Sequence, residues 1–577
     1  MEPLRRYLPI LDWGRRYSSQ KFAEDGVAAI IVAILLIPQS LAYALLAGLP
    51  AEMGLYASIF GLVVYGFFGT SNALSVGPVA VISLMTAAAL GRLDLANTSE
   101  YMAAALALAF LSGTLLLILG LLRMGFLANF LSHPVISAFI TASAIIIAAG
   151  QLQHLLGISG GGHNLLDIVV ELGQSITDTN PYTAAVGMLA LLLIFWVRLG
   201  VRPLLLRLGV SKTTTSIIVK AGPVLAVVVT AVLVYAMGLD RHGVALVGDI
   251  PRGIPGFTVP NLSREVIASL SGSALLIGII GFVESISVGE TLAARKRERV
   301  DPDQELVGLG MSNIAASFGG GFPITGGFSR SIVNYDAGAA TPAAGIFTAV
   351  MIGMATIFLT PLIFWLPRAT LAATIIIAVS SLVDFSLFRR AWSYSRAEFA
   401  AMAATIVLTL VIGVEIGIAA GVLASVAVTL YKTSRPHVAV VGRVPGTEHF
   451  RNVKRHRVVT HDSLLSIRID ESLYFANTRY LEELIYRLVA ESPKVKHVIL
   501  MCTAVNKIDM SALETLAQIN DTLSDLGIKL HLSEVKGPVM DKLHRTDFFE
   551  TLTGNSYLTQ NQAVDDLSDA DMPLSGL

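Results

Sequence analysis

The sequence predicts a polytopic α-helical membrane protein that ends in a small α/β domain. Three observations carry that reading. The chain is 54% hydrophobic and only 14% charged, whereas soluble domains carry about 25% charged residues, so most of it must be solvated by lipid or by itself. Long apolar runs free of charge recur along the first three-quarters of the chain. Beyond about residue 440 the pattern changes to short apolar runs alternating with amphipathic stretches, as strands and helices of a soluble sheet do.

The charge-free runs cover residues 27–51, 54–91, 101–122, 124–166, 181–197 and 221–239, then 266–283, 306–329, 337–367, 369–383, 399–414 and 416–431. A crossing helix needs roughly 20 apolar residues. The longest runs therefore hold two elements each, giving about fourteen crossings. Lysine and arginine cluster at Arg5 to Lys21, Arg198 to Lys220, Arg295 to Arg299, Arg389 to Arg396 and from Lys432 onward, whereas residues 157–180 hold Asp167, Glu171 and Asp178 and neither lysine nor arginine. Positive charge marks the cytoplasmic face, so both termini are expected there, in a plasma (inner) membrane. The first apolar run reads as a retained span rather than a cleaved signal peptide. A net charge of -1 argues against a nucleic-acid partner, and the single cysteine, Cys502, permits no intrachain disulfide.

Two segments have the grammar of a helix that starts inside the membrane. In Ser75-Val76-Gly77-Pro78-Val79-Ala80, proline suits a first turn because its missing N–H would go unused there. In Gly326-Gly327-Phe328-Ser329-Arg330-Ser331, Arg330 is the lone charge between Leu306 and Tyr335. A guanidinium at membrane depth is costly and marks a functional site. It also sits where a new half-helix would present its positive end, an arrangement that makes sense around an anion. Counting crossings, the first half-helix runs outward and the second inward, so their N-termini face one another and make a two-sided cradle.

These residues resemble the sulfate permease (SulP) family, relatives of the mammalian solute-carrier anion exchangers and prestin. The matching motifs include Ile37-Pro38-Gln39-Ser40-Leu41-Ala42-Tyr43-Ala44, Gly54-Leu55-Tyr56-Ala57-Ser58, Leu74 through Met85, Phe130 through Ile136, Asp303 through Asn313 and Phe328-Ser329-Arg330-Ser331. The resemblance implies a seven-plus-seven inverted repeat with a core and a gate domain. It implies a substrate pocket between the third and tenth helices, using Gln39 and Tyr43, the Gly77-Pro78-Val79-Ala80 segment, and Phe328, Ser329 and Arg330. After Thr70-Ser71 the family usually has a basic residue, and here Asn72 stands.

Glu284 interrupts the apolar stretch that begins with the run at 266–283. Burial and a nearby arginine act on a carboxyl in opposite senses, so Glu284 is the candidate proton-coupling residue, with a structural Glu284–Arg330 ion pair as the alternative. Glu290 reads as interfacial, Glu415 as a helix-end carboxylate in an arginine-free neighbourhood, and His133 as structural.

The tail reads as strands at residues 464–469, 498–502 and 528–532 with helices at residues 511–526 and 538–552. It resembles a STAS domain, in which Ser511 of Asp509-Met510-Ser511-Ala512 matches a phosphorylated serine. An N-cap hydroxyl is the competing role for Ser511. The expected layout is a cytoplasmic segment at 1–22, a transport domain at 23–433, the STAS domain at 440–565 and a flexible tail at 566–577.

The function expected is uptake of a small oxyanion, sulfate foremost, by proton symport. Sodium-coupled bicarbonate transport, dicarboxylate transport and a passive anion channel are the alternatives. The expected partners are the anion, the bilayer, a second copy in a homodimer and a regulatory protein at the tail. No cofactor or metal is expected and no enzyme activity, since the chain lacks a Walker A sequence, zinc-ligand spacing or a nucleophile–base pair.

Overall fold

The computed structural model describes residues 7–569, apart from residues 94, 96, 131, 163, 212–214, 216, 217, 220, 252 and 254. The expected positions Arg5, Arg6, Leu131, Lys212 and Lys220 and residues 570–577 of the expected tail lie outside the described residues. The chain forms two compact units, Met1–Ser425 and Val426–Leu577.

Among the described residues, the first unit and the helix that leaves it show fourteen apolar helical segments in series. The first seven are α1 (Ser19–Leu46), α2 (Glu52–Phe68), α3 (Ala80–Leu90), α4 (Thr98–Leu121), α5 (His133–Leu156), α6 (Pro181–Trp196, continued by further turns to Arg207) and α7 (Gly222–Met237). The second seven are α8 (Arg264–Lys296), α9 (Pro302–Phe318), α10 (Phe328–Asp336), α11 (Ala343–Phe358), α12 (Arg368–Ser380), α13 (Arg396–Val411) and α14 (Val414–Ser434). The halves begin alike. α1 and α8 have 28 and 33 residues, α2 and α9 have 17 each, and the half-helices α3 and α10 have 11 and 9.

The local reasons for these helices are ordinary. Ser18, Asn97, Asn180, Ser263 and Asp301 cap α1, α4, α6, α8 and α9 with side-chain oxygens. α3 and α10 start instead at Val79 and Gly327, which have no such oxygen to give. Their first-turn N–H groups therefore stay available for another acceptor.

The largest apolar cluster is built mainly by α1–α4 and α8–α11, and smaller ones join α5, α6, α7 and α12. Between lipid-facing helices close packing rather than water exclusion supplies the attraction. α4 and α9 touch backbone to backbone: a Cβ on Gly310 would lie 2.8 Å from the Gly113 oxygen and 2.7 Å from the Leu117 nitrogen.

Two buried carboxylates anchor the chain on either side of the half-helices. Glu305 accepts from the Thr70 N–H (2.7 Å), the Thr70 hydroxyl (2.6 Å), the Ser71 N–H (3.2 Å) and the Tyr65 hydroxyl (2.8 Å), holding the stretch that leads into α3. Asp25 accepts from the Ala340 and Thr341 N–H groups (2.7 and 3.0 Å) and from the hydroxyls of Thr341 and Tyr17 (2.6 and 3.1 Å), holding the stretch that leaves α10.

In the second unit a six-stranded sheet has the order β4-β3-β5-β6-β7-β8, with β3 (Val438–Arg443), β4 (Phe450–Asn452), β5 (Leu464–Ile469), β6 (His497–Met501), β7 (Lys529–Ser533) and β8 (Ser556–Tyr557). β3 is antiparallel to its neighbours, and β5 to β8 run parallel. Helices α15 (Thr478–Ala490), α16 (Met510–Asp525), α17 (Gly537–Leu543), α18 (Phe548–Thr551) and α19 (Gln560–Asp569) follow in chain order. The single helix expected at residues 538–552 is thus two, broken at residues 544–547. α19 continues to Asp569 and buries Leu567 against β-sheet residues, so the sheet unit runs four residues past the expected boundary at 565.

Candidate functional site

The two half-helices meet. β1 (Val76–Gly77) pairs antiparallel with β2 (Thr325–Gly326), placing Val76 opposite Gly326 and Gly77 opposite Thr325. Each strand leads directly into its half-helix, so the starts of α3 and α10 are fixed side by side. Two side chains lock the ribbon from behind. Ser285 accepts from the Gly326 N–H (2.8 Å) and bonds the Thr325 hydroxyl (2.7 Å), while Asn313 both receives from and donates to the Ile324 backbone (2.8 and 2.9 Å).

Arg330, 3% exposed, stands on the first turn of α10. Its Nε donates to the Ser75 carbonyl (2.8 Å), Nη1 to Pro78 (2.6 Å), and Nη2 to Gly77 (2.7 Å) and Thr325 (2.9 Å). A guanidinium has five N–H donors, so four are engaged by the chain and one, on Nη1, remains. The expectation of an arginine waiting for an anion is corrected in part: the group first satisfies the carbonyls that the break before α3 leaves without helical partners. Gly327 is required beside it, since a Cβ there would lie 2.8 Å from the guanidinium carbon.

A cavity of about 570 Å³ opens on this assembly, with Gln39 and Tyr43 of α1, Ser329 and Arg330 of α10, and Arg198 and Arg202 of α6 in its wall. Pro38, also in the wall, cannot donate to the Ile34 carbonyl, so α1 is weakened where it borders the cavity. Gly77, Pro78, Val79 and Ala80 are buried and none of them lines this space. The α10 side of the expected cradle thus borders the cavity, while the stretch that starts α3 meets the guanidinium through the Gly77 and Pro78 carbonyls.

Phe328, expected in the same pocket, faces a second cavity of about 740 Å³, as does Glu284. One residue along the first turn of a helix rotates a side chain by about 100°, which puts Phe328 and Ser329 on different sides. Glu284 Oε2 is buried with no hydrogen-bond partner. No ion pair links Glu284 to Arg330 among the described residues, so the structural-pair alternative does not hold. His133 and Glu290 also line this second cavity, and Ser381 at the end of α12 borders both.

Other expectations resolve locally. Glu415 is not in an arginine-free neighbourhood, for it pairs with Arg92 and accepts from Ser273 (2.8 Å). Asn72 donates to Glu298 (3.1 Å). Ser511 is exposed and does not cap α16; Asp509 does, accepting from the Ala512 N–H (2.8 Å). Sequence reasoning missed Arg198 and Arg202 as cavity residues, having read them only as an orientation signal. Their spacing of four along one helix was the available sign that they share a face.

A pair of opposed half-helices, bridged by an arginine and bordering an arginine-lined cavity between packed membrane helices, is the arrangement of an anion transporter. The chain belongs to the sulfate permease family, which matches residues 22–405, and a STAS domain matches residues 455–563. It is 35% identical over 554 residues to sulfate transporter 4.1, chloroplastic, of Arabidopsis thaliana, covering 94% of this chain and 79% of that one. It is 32% identical over 587 residues to high affinity sulfate transporter 1 of Stylosanthes hamata, covering 97% and 86%. The fold is that of the anion transporter SLC26A9, with a TM-score of 0.86 at 22% identity over 99% of this chain and 95% of that structure. The transmembrane domain of the cyanobacterial bicarbonate transporter BicA aligns with a TM-score of 0.60 at 19% identity over 71% and 98%. The protein is thus a multi-pass membrane transporter of anions and not an enzyme.

Proposed function

We propose that the chain takes up sulfate by proton symport, with both termini in the cytoplasm and the plasma (inner) membrane as its site. The anion docks in the arginine-lined cavity. There the first N–H groups of α10, the Ser329 hydroxyl and the remaining N–H of Arg330 supply donors, and Gln39 and Tyr43 add polar contacts. Arg198 and Arg202 raise the local anion concentration.

The observation that carries the coupling is the contrast among buried carboxylates. Asp25, Glu305 and Glu415 are each held by donors, whereas the buried Glu284 oxygen has none. A carboxylate with an oxygen held by no donor can gain or lose a proton without breaking a hydrogen bond. An anion arriving beside it repels a negative carboxylate, so proton and anion travel together. The sulfate transporters among the relatives support the substrate assignment. The α/β unit serves assembly as a homodimer or regulation through a partner protein, with exposed Ser511 as its candidate modification site.

The test is uptake of labelled sulfate into proteoliposomes under separate proton and sodium gradients. Accumulation driven by an inward proton gradient is expected. Uptake driven by sodium alone, or only downhill flux, overturns the reading.

A further inference from the structure

We propose that anion and proton reach the core of the transporter through two separate vestibules on the same side of the membrane. This rests on the proton-symport reading above. The observation is a segregation of charge between the two cavities that flank the start of α10. The first contains Arg198, Arg202 and Arg330 and no carboxylate. The second contains Glu284, Glu290 and Asp303 against Arg123 and His133.

Both cavities reach the side of the basic clusters. The first does so through Arg198 and Arg202 on the final turns of α6, the second through Arg123 ahead of α5 and Pro302 and Asp303 at the start of α9. Adjacent residues divide the start of α10 between them, with Phe328 in the second and Ser329 and Arg330 in the first.

An anion follows the arginine-lined wall, and three carboxylates discourage it from the other. A proton has the opposite preference. The second cavity, about 740 Å³ in volume, carries carboxyl, imidazole and the Ser137 and Ser287 hydroxyl groups, a lining polar and roomy enough for water to occupy. On the side of the anion site, Glu284 interacts electrostatically with Arg330 and Tyr43. Those facing it across the second cavity are Glu290 on its own helix, His133 on α5, Asp303 on α9 and Arg123 before α5. The proton on Glu284 therefore leaves through the second cavity, with Glu290 and His133 as the acid–base groups at its mouth, while the anion leaves through the first. His133, read from sequence as structural, becomes part of this path.

The experiment blocks each cavity after folding. Ser287→Cys and Ser137→Cys place a thiol in the second cavity, and Ala378→Cys places one in the first. The native Cys502 is buried, which keeps background labelling low. Each variant, reconstituted and shown to transport, is treated with a bulky neutral maleimide, so the unlabelled protein is its own folding control. Labelling Ser287→Cys is expected to reduce pH-driven sulfate accumulation by about a hundredfold, the lower end of what a positioned proton-transfer group contributes. Sulfate–sulfate exchange at equal pH should persist, because a carrier with Glu284 held protonated still exchanges anions. Labelling Ala378→Cys should abolish both. Equal loss of both activities from either cavity, or no loss after complete labelling of Ser287→Cys, overturns the two-vestibule assignment. If unlabelled protein shows no pH-driven accumulation at all, it is the symport reading that fails, independently of the cavities.

Discussion

The surroundings of Arg330 and those of Glu284 handle a buried charge in opposite ways. Four of the five guanidinium N–H groups are tied to carbonyls of both broken segments. The Glu284 Oε2, on the neighbouring helix, is tied to nothing. The first arrangement fixes a charge in place and uses it to hold two chain segments together. The second leaves a group whose charge can change without breaking a bond. The proton-symport proposal uses both: a constant positive point to hold the anion and a variable negative one to carry the proton.

That contrast makes the strongest prediction the loss of the arginine fork. Lysine offers three donors from one nitrogen and cannot span four carbonyls. With each orphaned buried group costing about 1–3 kcal/mol, Arg330→Lys should lower the thermal stability of the membrane unit by several kcal/mol and abolish saturable uptake. Thermal unfolding in detergent and proteoliposome uptake measure the two effects. A lysine variant stable and active as before would mean that the carbonyls need no fork.

Glu305→Ala comes next. Three donors to one oxygen and one to the other lose their acceptor, so a loss of about 2–4 kcal/mol is expected in the same unfolding assay. Glu284→Gln sharpens the comparison from the other side. Removing an unpartnered buried charge should leave the unfolding midpoint unchanged or higher, while pH-driven accumulation disappears and exchange continues. A marked drop in stability would show that Glu284 is held by donors after all.

The smallest effect lies in the α/β unit. Burial, then the neighbouring His497 and Lys529, push His531 down to about 4 from its ordinary 6.5, against a partial offset from Asp566. The geometry agrees: the Asn555 N–H donates to Nδ1 (3.0 Å), which must stay unprotonated, and Nε2 meets His497 (3.0 Å). Because the folded value is the lower one, the unfolded chain binds the proton first as pH falls from 6.5 towards 4. Stability of this unit should be level above 6.5 and decline through that window. Hydrogen exchange of β6 and β7 amides in the intact protein, compared with His531→Asn, would show the slope and its removal.

Much of this was legible in the sequence because intramembrane breaks leave strong local marks. The start of α10 at Phe328 follows from two glycines and a lone arginine, and the start of α3 from Gly77-Pro78. The series of fourteen segments follows from run lengths. What Arg330 would bond was not legible, because the carbonyls of Ser75, Gly77 and Pro78 point towards it only once the two halves are packed. The same holds for Arg198 and Arg202, whose charge signalled orientation equally well whether or not they faced a cavity. The α16 start shows a different limit. Asp509 and Ser511 are both good capping residues, and two residues of register decided between them.

The β1–β2 ribbon also constrains how the molecule is made. Its two strands come from opposite halves of the chain, so during synthesis the first strand must wait, its carbonyls without acceptor-matched donors, until the second has emerged. The arginine that completes it would be costly to leave in lipid alone. Insertion of the tenth span is therefore coupled to a third span already in position, and the binding site is among the last features of the membrane unit to come into existence.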